Sequence, residues 1–338
     1  MMKWSSSKLL SMALALLLAL TTAGGAALAA DVSAATYPLT IPHALGETVL
    51  QAKPERVVAI SWGNPDVPLA LGIAPVGVSK ANYGIGAEES LLPWTLAGFA
   101  AVGVDAPTVF DDVDGLDYEA INDAQPDVIL AAYSGLTQEE YDKLSDIAPV
   151  VAYPGMPWQT GWREQIVLNA TAMGMQAEGE AVVAELETYI AARAAQYPAL
   201  AGKRAAFFWF SPDDLGNTYI YTLSDPRAAY LLDLGMTFPE SVNMLVGGEN
   251  TFAIQVSAEN FDQLSDVDVI LTYGDAGTLA ALQADPLASA IPAIRNGAVA
   301  VIQNNSYLAA SCTPSALSIP ATLDAYLALI AEAAEKAQ

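Results

Sequence analysis

The chain has 338 residues, with 38 Asp and Glu against 13 Lys and Arg and a formal net charge of −25. That balance excludes a nucleic-acid binder, because affinity for a polyphosphate comes from cations that release its counterions; it suits a surface kept soluble by its own charge. The single Cys, Cys312, excludes an internal disulfide and a cysteine metal cluster, and the length allows two domains.

Residues 1–29 read as a leader: Lys3 and Lys8, an apolar run over 9–20, then Ala27-Leu28-Ala29 as a small-residue cleavage site. The run is shorter than the about 20 residues that cross a bilayer. No Cys lies near the cleavage point, so the expectation is an exported, soluble chain, periplasmic or extracytoplasmic, without a lipid anchor. Residues 37–50 predict an edge hairpin. Residues 56–60 follow as a buried strand, apolar and β-branched without alternation. Residues 65–71 predict a short helix with Asn64 as its N-cap and Pro65 at the first position, ended by Gly72. Strands at 76–79, 108–109, 128–133 and 150–153, with helices at 118–123 and 138–147, complete a parallel set with helices on its faces. These elements make an N-terminal α/β lobe over 30–158.

A helical connector follows over 159–198. Its main helix, 176–197, carries Val182, Val183, Leu186, Tyr189 and Ile190 at helical spacing. At 1.5 Å per residue it would span roughly 33 Å, a stiff bridge. The second α/β lobe, 199–338, starts with a strand at 203–210, repeats the plan to 302 and closes with an amphipathic helix over 317–336.

The chain is written twice. Residues 119–133, EAINDAQPDVILAAY, match 259–273, ENFDQLSDVDVILTY. In the same order, RVVAI (56–60) matches RAAFFW (204–209), LALGIAPVGV (69–78) matches LLDLGMTFP (231–239), and 150–153 matches 299–303. Two similar doubly wound lobes, each with a mainly parallel sheet, predict a cleft that captures a ligand.

YPLTIPHALG (37–46), PERVV (54–58), LALGIAPV (69–76), QPDVIL (125–130), LSDIAPVV (144–151) and DPRAAYLLDLG (225–235) occur in this order across the chain after the leader. Together they resemble the iron–siderophore substrate-binding proteins of ABC importers. The resemblance implies a class III periplasmic binding protein fold, with two lobes on one long helix. It also implies a monomer that takes a ferric siderophore and delivers it to a membrane permease, with no cofactor and with iron present only as chelate. Importer proteins for haem or cobalamin share the resemblance and stay open, as does a ligand sensor or adhesion module on the same fold.

Loops at the carboxyl ends of the strands should line the cleft. They hold Trp62, Asn64, Lys80, Asn82, Tyr83, Tyr133, Ser134 and Trp158 in the first lobe. In the second they hold Phe210, Ser211, Tyr219, Tyr221, Tyr273 and Tyr307. Aromatic rings give broad contact at small entropy cost, which suits a bulky chelate; plain core or rim packing is the alternative for each. Phe207 and Trp209, mid-strand, are expected in the core. Arg227 follows Asp225-Pro226 where the resemblance places a ligand-contacting Arg, and its fork could hold chelate oxygens; an ion pair with Asp225 or Asp233 is the equal alternative. Lys80 is a second cationic candidate, and Arg163 reads as structural. The resemblance gives Glu119 and Glu259, equivalent in the repeat, the role of docking on permease arginines, through orientation and encounter rate rather than affinity. The helix dipole alone would also favour a Glu there.

Enzyme readings fail. His43 is the only His, and neither a G-x-S-x-G elbow nor a G-x-x-x-x-G-K-[ST] loop occurs. A His-poor, scattered set of tyrosines also argues against direct iron ligation. The chelate chemistry stays open, with the scarcity of cations in these loops counting against a highly anionic one.

Overall fold

The computed structural model describes residues 35–112, 114–210 and 218–337; the expected leader and Ser211 lie outside them. The chain divides into two compact units. Unit 1 takes the chain through Asn82, Gly86–Leu186 and Ser315–Ala321; unit 2 takes Tyr83–Ile85, Glu187–Pro314 and Thr322–Gln338. Among the described residues no helix is long and apolar enough to cross a membrane.

Unit 1 opens with the expected hairpin, β1 (Leu39–His43) against β2 (Gly46–Leu50), paired from Leu39↔Leu50 to His43↔Gly46. Its main sheet uses β3 (Val57–Ala59), β4 (Gly77–Ser79), β5 (Val109–Phe110), β6 (Val128–Leu130) and β7 (Val150–Val151), all parallel, in the order β5-β4-β3-β6-β7. Residues such as Val58, Ile129 and Val150 are buried, as expected for strands covered on both faces. Ile121 of α3 (Tyr118–Asp123) and Leu144 of α4 (Gln138–Ser145) fill the core from one side. α4 begins with a capping box in which Thr137 and Glu140 satisfy each other's backbone N–H. The remaining helices are α1 (Asp66–Ala70), α2 (Pro93–Ala101), α5 (Trp162–Ala172) and α6 (Gln176–Ala194). α6 ends at Ala194 rather than 197, and the boundary between the units falls inside it, after Leu186.

One sequence expectation fails at α1. Asn64 does not cap it: Pro65 holds the cap position, no side chain caps the helix, and Asn64 turns inward. The first residue of α1, Asp66, is buried without a cation. It accepts hydrogen bonds from Thr95 Oγ1 at 2.7 Å and from Ser315 Oγ. Burial raises its pKa to about 6, and the hydrogen bonds only partly offset this. Its folded pKa stands above its unfolded one. Its contribution to stability is therefore complete below about pH 4 and lost as pH rises through about 6. The loss is on the order of 3 kcal/mol, at 1.36 kcal/mol per unit. We expect wild type to gain about 2 kcal/mol of stability relative to Asp66→Asn between pH 7.5 and 4.5, the part of the whole that falls in this window. Chemical denaturation at both pH values checks this; a constant difference would disprove the assignment.

Unit 2 has β8 (Ala205–Trp209), β9 (Thr218–Tyr221), β10 (Ala253–Val256), β11 (Val269–Gly274) and β12 (Val299–Gln303) in the order β10-β9-β8-β11-β12. Numbered from its own first main-sheet strand, each unit has the order third-second-first-fourth-fifth. The repeat reaches individual bonds. Asp127 N–H donates to Arg56 O and Asp268 N–H to Arg204 O, each at 2.8 Å. In return the Asp127 and Asp268 carboxylates accept from the N–H of Arg56 and Arg204. The copy is incomplete on one side, where β9 and β10 run antiparallel while β8, β11 and β12 stay parallel. The segment equivalent to β4 is reduced to a single parallel bridge, Arg204↔Thr237.

The helices of unit 2 are α7 (Pro226–Asp233), α8 (Glu240–Val246), α9 (Thr278–Ala284), α10 (Pro292–Asn296), α11 (Tyr307–Ala310) and α12 (Ser318–Ala334), whose first residues fall in unit 1. Phe208, Phe210, Ile220, Phe261 and Ile270 form one core cluster.

Candidate functional site

Strand ends and the sheet face position the candidate residues, and each unit carries its own group. In unit 1, β3 leads into a tight turn with Ser61 at φ 63° and Gly63 at φ 68°, which holds Trp62 half-buried. Asn64 locks this turn. Its Nδ2 donates to Ile60 O at 2.7 Å and Tyr133 O at 3.0 Å. Its Oδ1 accepts from Tyr133 N–H at 3.1 Å, Gln165 Nε2 at 3.1 Å and Asn169 Nδ2 at 2.9 Å. With a side chain 0 % exposed, Asn64 holds the loop bearing Trp62 to the loop bearing Tyr133 and to α5, and its amide offers a ligand nothing. Gln165 also donates to Trp62 O at 2.9 Å. Ser79 adds a second tie, accepting from Ser61 N–H and donating to Asp112.

Tyr133 is largely buried and meets Trp158 edge-on at 5.5 Å between ring centroids. Trp158 sits at φ 61° and is 41 % exposed, with its N–H on Ser134 O. A Cβ at Gly135 would stand 2.3 Å from the Trp158 indole nitrogen, so only glycine lets the ring lie there. Ser134 is buried and donates to Ala131 O, a structural role. Lys80 pairs with Asp111 at 3.2 Å, and Asn82 is exposed.

In unit 2 the side chains of β8 alternate. Phe208 enters the core cluster, while Phe207 faces Tyr221 at 5.6 Å and Tyr273 at 5.0 Å on the other side of the sheet. Trp209 shares that second face and is 39 % exposed, against the expectation of a core residue. It lies beside Tyr219, its register partner, at 5.9 Å. Phe210, expected in the cleft, is instead buried and stacked on Phe208, because the same alternation turns it inward. Tyr221 is not in a loop at a carboxyl end. It is the last residue of antiparallel β9 and mostly buried.

Arg227, in the first turn of α7, stands over the Tyr221 ring at 3.9 Å. Asp225, the N-cap of that helix, takes its fork in two bonds, Nε to Oδ1 at 2.8 Å and Nη2 to Oδ2 at 2.6 Å. Of the two carboxylates weighed from the sequence, Asp225 is thus the one that pairs with Arg227. The pair is nearly dry, with side chains 19 % and 1 % exposed. Burial alone would lower the Arg227 pKa; hydrogen bonding and attraction to Asp225 outweigh it and raise it. Burial raises the pKa of Tyr273, and the nearby Arg227 charge offsets part of that rise.

Tyr83 meets Tyr273 edge-on at 6.1 Å, donates to Asn304 Oδ1 at 2.7 Å and accepts from Asn305 N–H at 3.2 Å. The next residue, Gly84, has φ 79° and presses on α11, where a Cβ would fall 2.5 Å from the Ala310 Cβ. Tyr307 begins α11 behind its cap, Ser306, and is partly exposed. Cys312 is buried beneath, donating from Sγ to Leu308 O at 3.4 Å, and its thiol is pushed up to about 12 by burial, so it stays protonated.

Glu119 and Glu259 are both exposed, each in the first turn of its element. Glu119 is on the α-helix α3, whereas Glu259 is on a 3-10 stretch, Ala258–Leu264, so the equivalence in sequence is not one of helix type. His43 is bonded to Thr48. No group of three or more His, Cys, Asp or Glu poised for a metal occurs among the described residues.

The pattern of the periplasmic binding protein family matches residues 57–305. The crystal structure of PiaA from Streptococcus pneumoniae TIGR4 in complex with ferrichrome is similar at 49 % identity and a TM-score of 0.85, over 88 % of this chain and 99 % of that one. A Bacillus subtilis protein named "Probable siderophore-binding lipoprotein YfiY" is 25 % identical over 69 % of this chain and 68 % of its own length. FepB, the ferric enterobactin-binding periplasmic protein of Escherichia coli O6:H1, is 24 % identical over 82 % of this chain and 88 % of its own.

Proposed function

The chain belongs to the periplasmic binding protein family, which it matches over residues 57–305, and from that premise we propose that it captures a ferric siderophore and delivers it to the permease of an ABC importer. The observation that carries this reading is the face of the unit 2 sheet, where Arg227 and the rings of Tyr221, Tyr273 and Tyr83 stand together. The likeness to PiaA, crystallised with ferrichrome, supports it. Trp62, Lys80, Trp158 and the edge of Tyr133 are the ligand-facing group of unit 1; Tyr83, Tyr219, Tyr221, Arg227, Tyr273 and Tyr307 are that of unit 2. Asn64 positions rather than binds.

The protein acts as a carrier and not as a catalyst, exported and monomeric. Relatives such as YfiY are named lipoproteins, whereas the one Cys here is buried at Cys312. The chain's leader is residues 1–29, and a helical connector over 159–198 separates the lobes 30–158 and 199–338.

Quenching of tryptophan fluorescence by ferric siderophores, haem and cobalamin tests the ligand; Trp62, Trp158 and Trp209 are all at least partly exposed. Tight quenching by at least one ferric siderophore is expected, and tight quenching by haem or cobalamin alone would sink the reading. Glu119 and Glu259 are proposed to dock on the permease. Replacing both with Ala should leave chelate affinity within about twofold while iron uptake falls about tenfold, since such rim charges govern encounter and orientation. Unchanged uptake would point to a sensor without a transporter.

A further inference from the structure

Charge pairing decides which chelates this site accepts. This inference rests on the siderophore reading above and narrows it. Each unit has a cation among its own ligand-facing residues, Lys80 in unit 1 and Arg227 in unit 2, and each is paired with a carboxylate, the Arg227 pair being the drier. Lys80 is held by Asp111, with Asp112 next in the chain and bonded to Ser79. Arg227 is held at two points by Asp225, a carboxylate 1 % exposed.

Three further arginines are committed elsewhere. Arg56 bonds the carbonyls of Ala124 and Gln125, Arg204 bonds Asp268, and Arg193 bonds Asp324. The whole chain carries −25. A trianionic chelate brought to this site would meet a neutral ion pair, aromatic rings and a background field of its own sign. Burial makes that mismatch costlier than it would be in water.

Hydroxamate and catecholate chelates differ in just this respect. Three hydroxamates, each a monoanion, cancel the charge of Fe(III), whereas three catecholates leave it at −3. A neutral chelate loses little on leaving water. Its carbonyl and N–O oxygens can still accept from the N–H groups of Arg227 that Asp225 does not use. The rings of Tyr221, Tyr273 and Tyr83 then supply apolar area to its backbone.

We propose that the site selects ferric chelates without net negative charge, of the tris-hydroxamate type, and that Asp225 sets this selectivity by cancelling Arg227. Asn at position 225 keeps a good helix N-cap and a partner for the guanidinium while leaving the Arg charge uncompensated. The test measures affinity for a ferric tris-hydroxamate, a ferric tris-catecholate and ferric citrate, in wild type and Asp225→Asn, with circular dichroism to confirm folding. Wild type is expected to bind the tris-hydroxamate at least about 100-fold more tightly than the tris-catecholate, and Asp225→Asn to shrink that ratio about tenfold or more, as one uncancelled charge against three does in a partly dry site. A salt titration of wild type needs no variant. Tris-hydroxamate affinity should stay flat between 0.05 and 0.5 M NaCl on the expectation that no counterions are involved, and residual tris-catecholate affinity should rise as repulsion is screened. A wild type that prefers the tris-catecholate, a ratio unmoved in folded Asp225→Asn, or tris-catecholate affinity that falls with salt would each overturn the proposal. Binding of none of the three would instead overturn the siderophore reading on which it stands.

Discussion

Asn64→Leu is expected to cost at least about 4 kcal/mol of folding stability, because it strands several buried partners at once. A buried donor or acceptor left without a partner costs about 1–3 kcal/mol. The carbonyls of Ile60 and Tyr133, the N–H of Tyr133 and the amides of Gln165 and Asn169 would all lose Asn64. Gln165 keeps its bond to Trp62 O, so the losses do not add fully. Asn64→Asp should fare little better: one oxygen still accepts three donors, but the other faces two carbonyls and must desolvate a charge. Urea unfolding measures both. A cost under about 1 kcal/mol for either would mean that the network relaxes freely and that Asn64 does not hold the Trp62 turn.

Arg227→Leu should be nearly as severe and should also abolish chelate binding. It removes the guanidinium over Tyr221 and leaves Asp225 as a buried charge without its counterion, a loss of about 3–5 kcal/mol in comparable pairs. The double variant Arg227→Leu/Asp225→Asn should recover most of that stability, since the stranded charge is gone and the helix keeps its cap, yet it should not recover binding. Unfolding free energies and chelate titrations on the single and double variants separate the two effects. Equal stability of single and double variants would show that Asp225 is hydrated in the folded protein; retained binding in either would remove Arg227 from the site.

Much of this architecture was legible because it depends on local pattern. Uniformly apolar strands and Asp127 and Asp268 at matching places in the repeat foretold two related sheets, and the shared strand order follows. The antiparallel turn of β9 and β10 was not legible. Buried strands with an apolar run look alike whichever way they run, and only pairing of Tyr219 with Trp209 and with Gln255 sets the direction. Trp209 was misread for a related reason. In a strand that reads Phe-Phe-Trp-Phe, composition cannot tell which face or which end meets solvent, although the two-residue alternation from Phe207 would have placed Trp209 with it.

The sequence by itself determined the class of fold, the duplication, the acidic surface and the aromatic supply, because each follows from residue type and spacing along the chain. Tertiary structure decided the chemistry of the site: that Asn64 is spent on the loops, that Asp225 rather than Asp233 takes Arg227, and that Phe210 turns in while Trp209 turns out. Those outcomes hang on which groups meet after folding and on how much water remains between them. A dry contact turns a carboxylate into a counterion, and no spacing in a linear chain specifies that dryness.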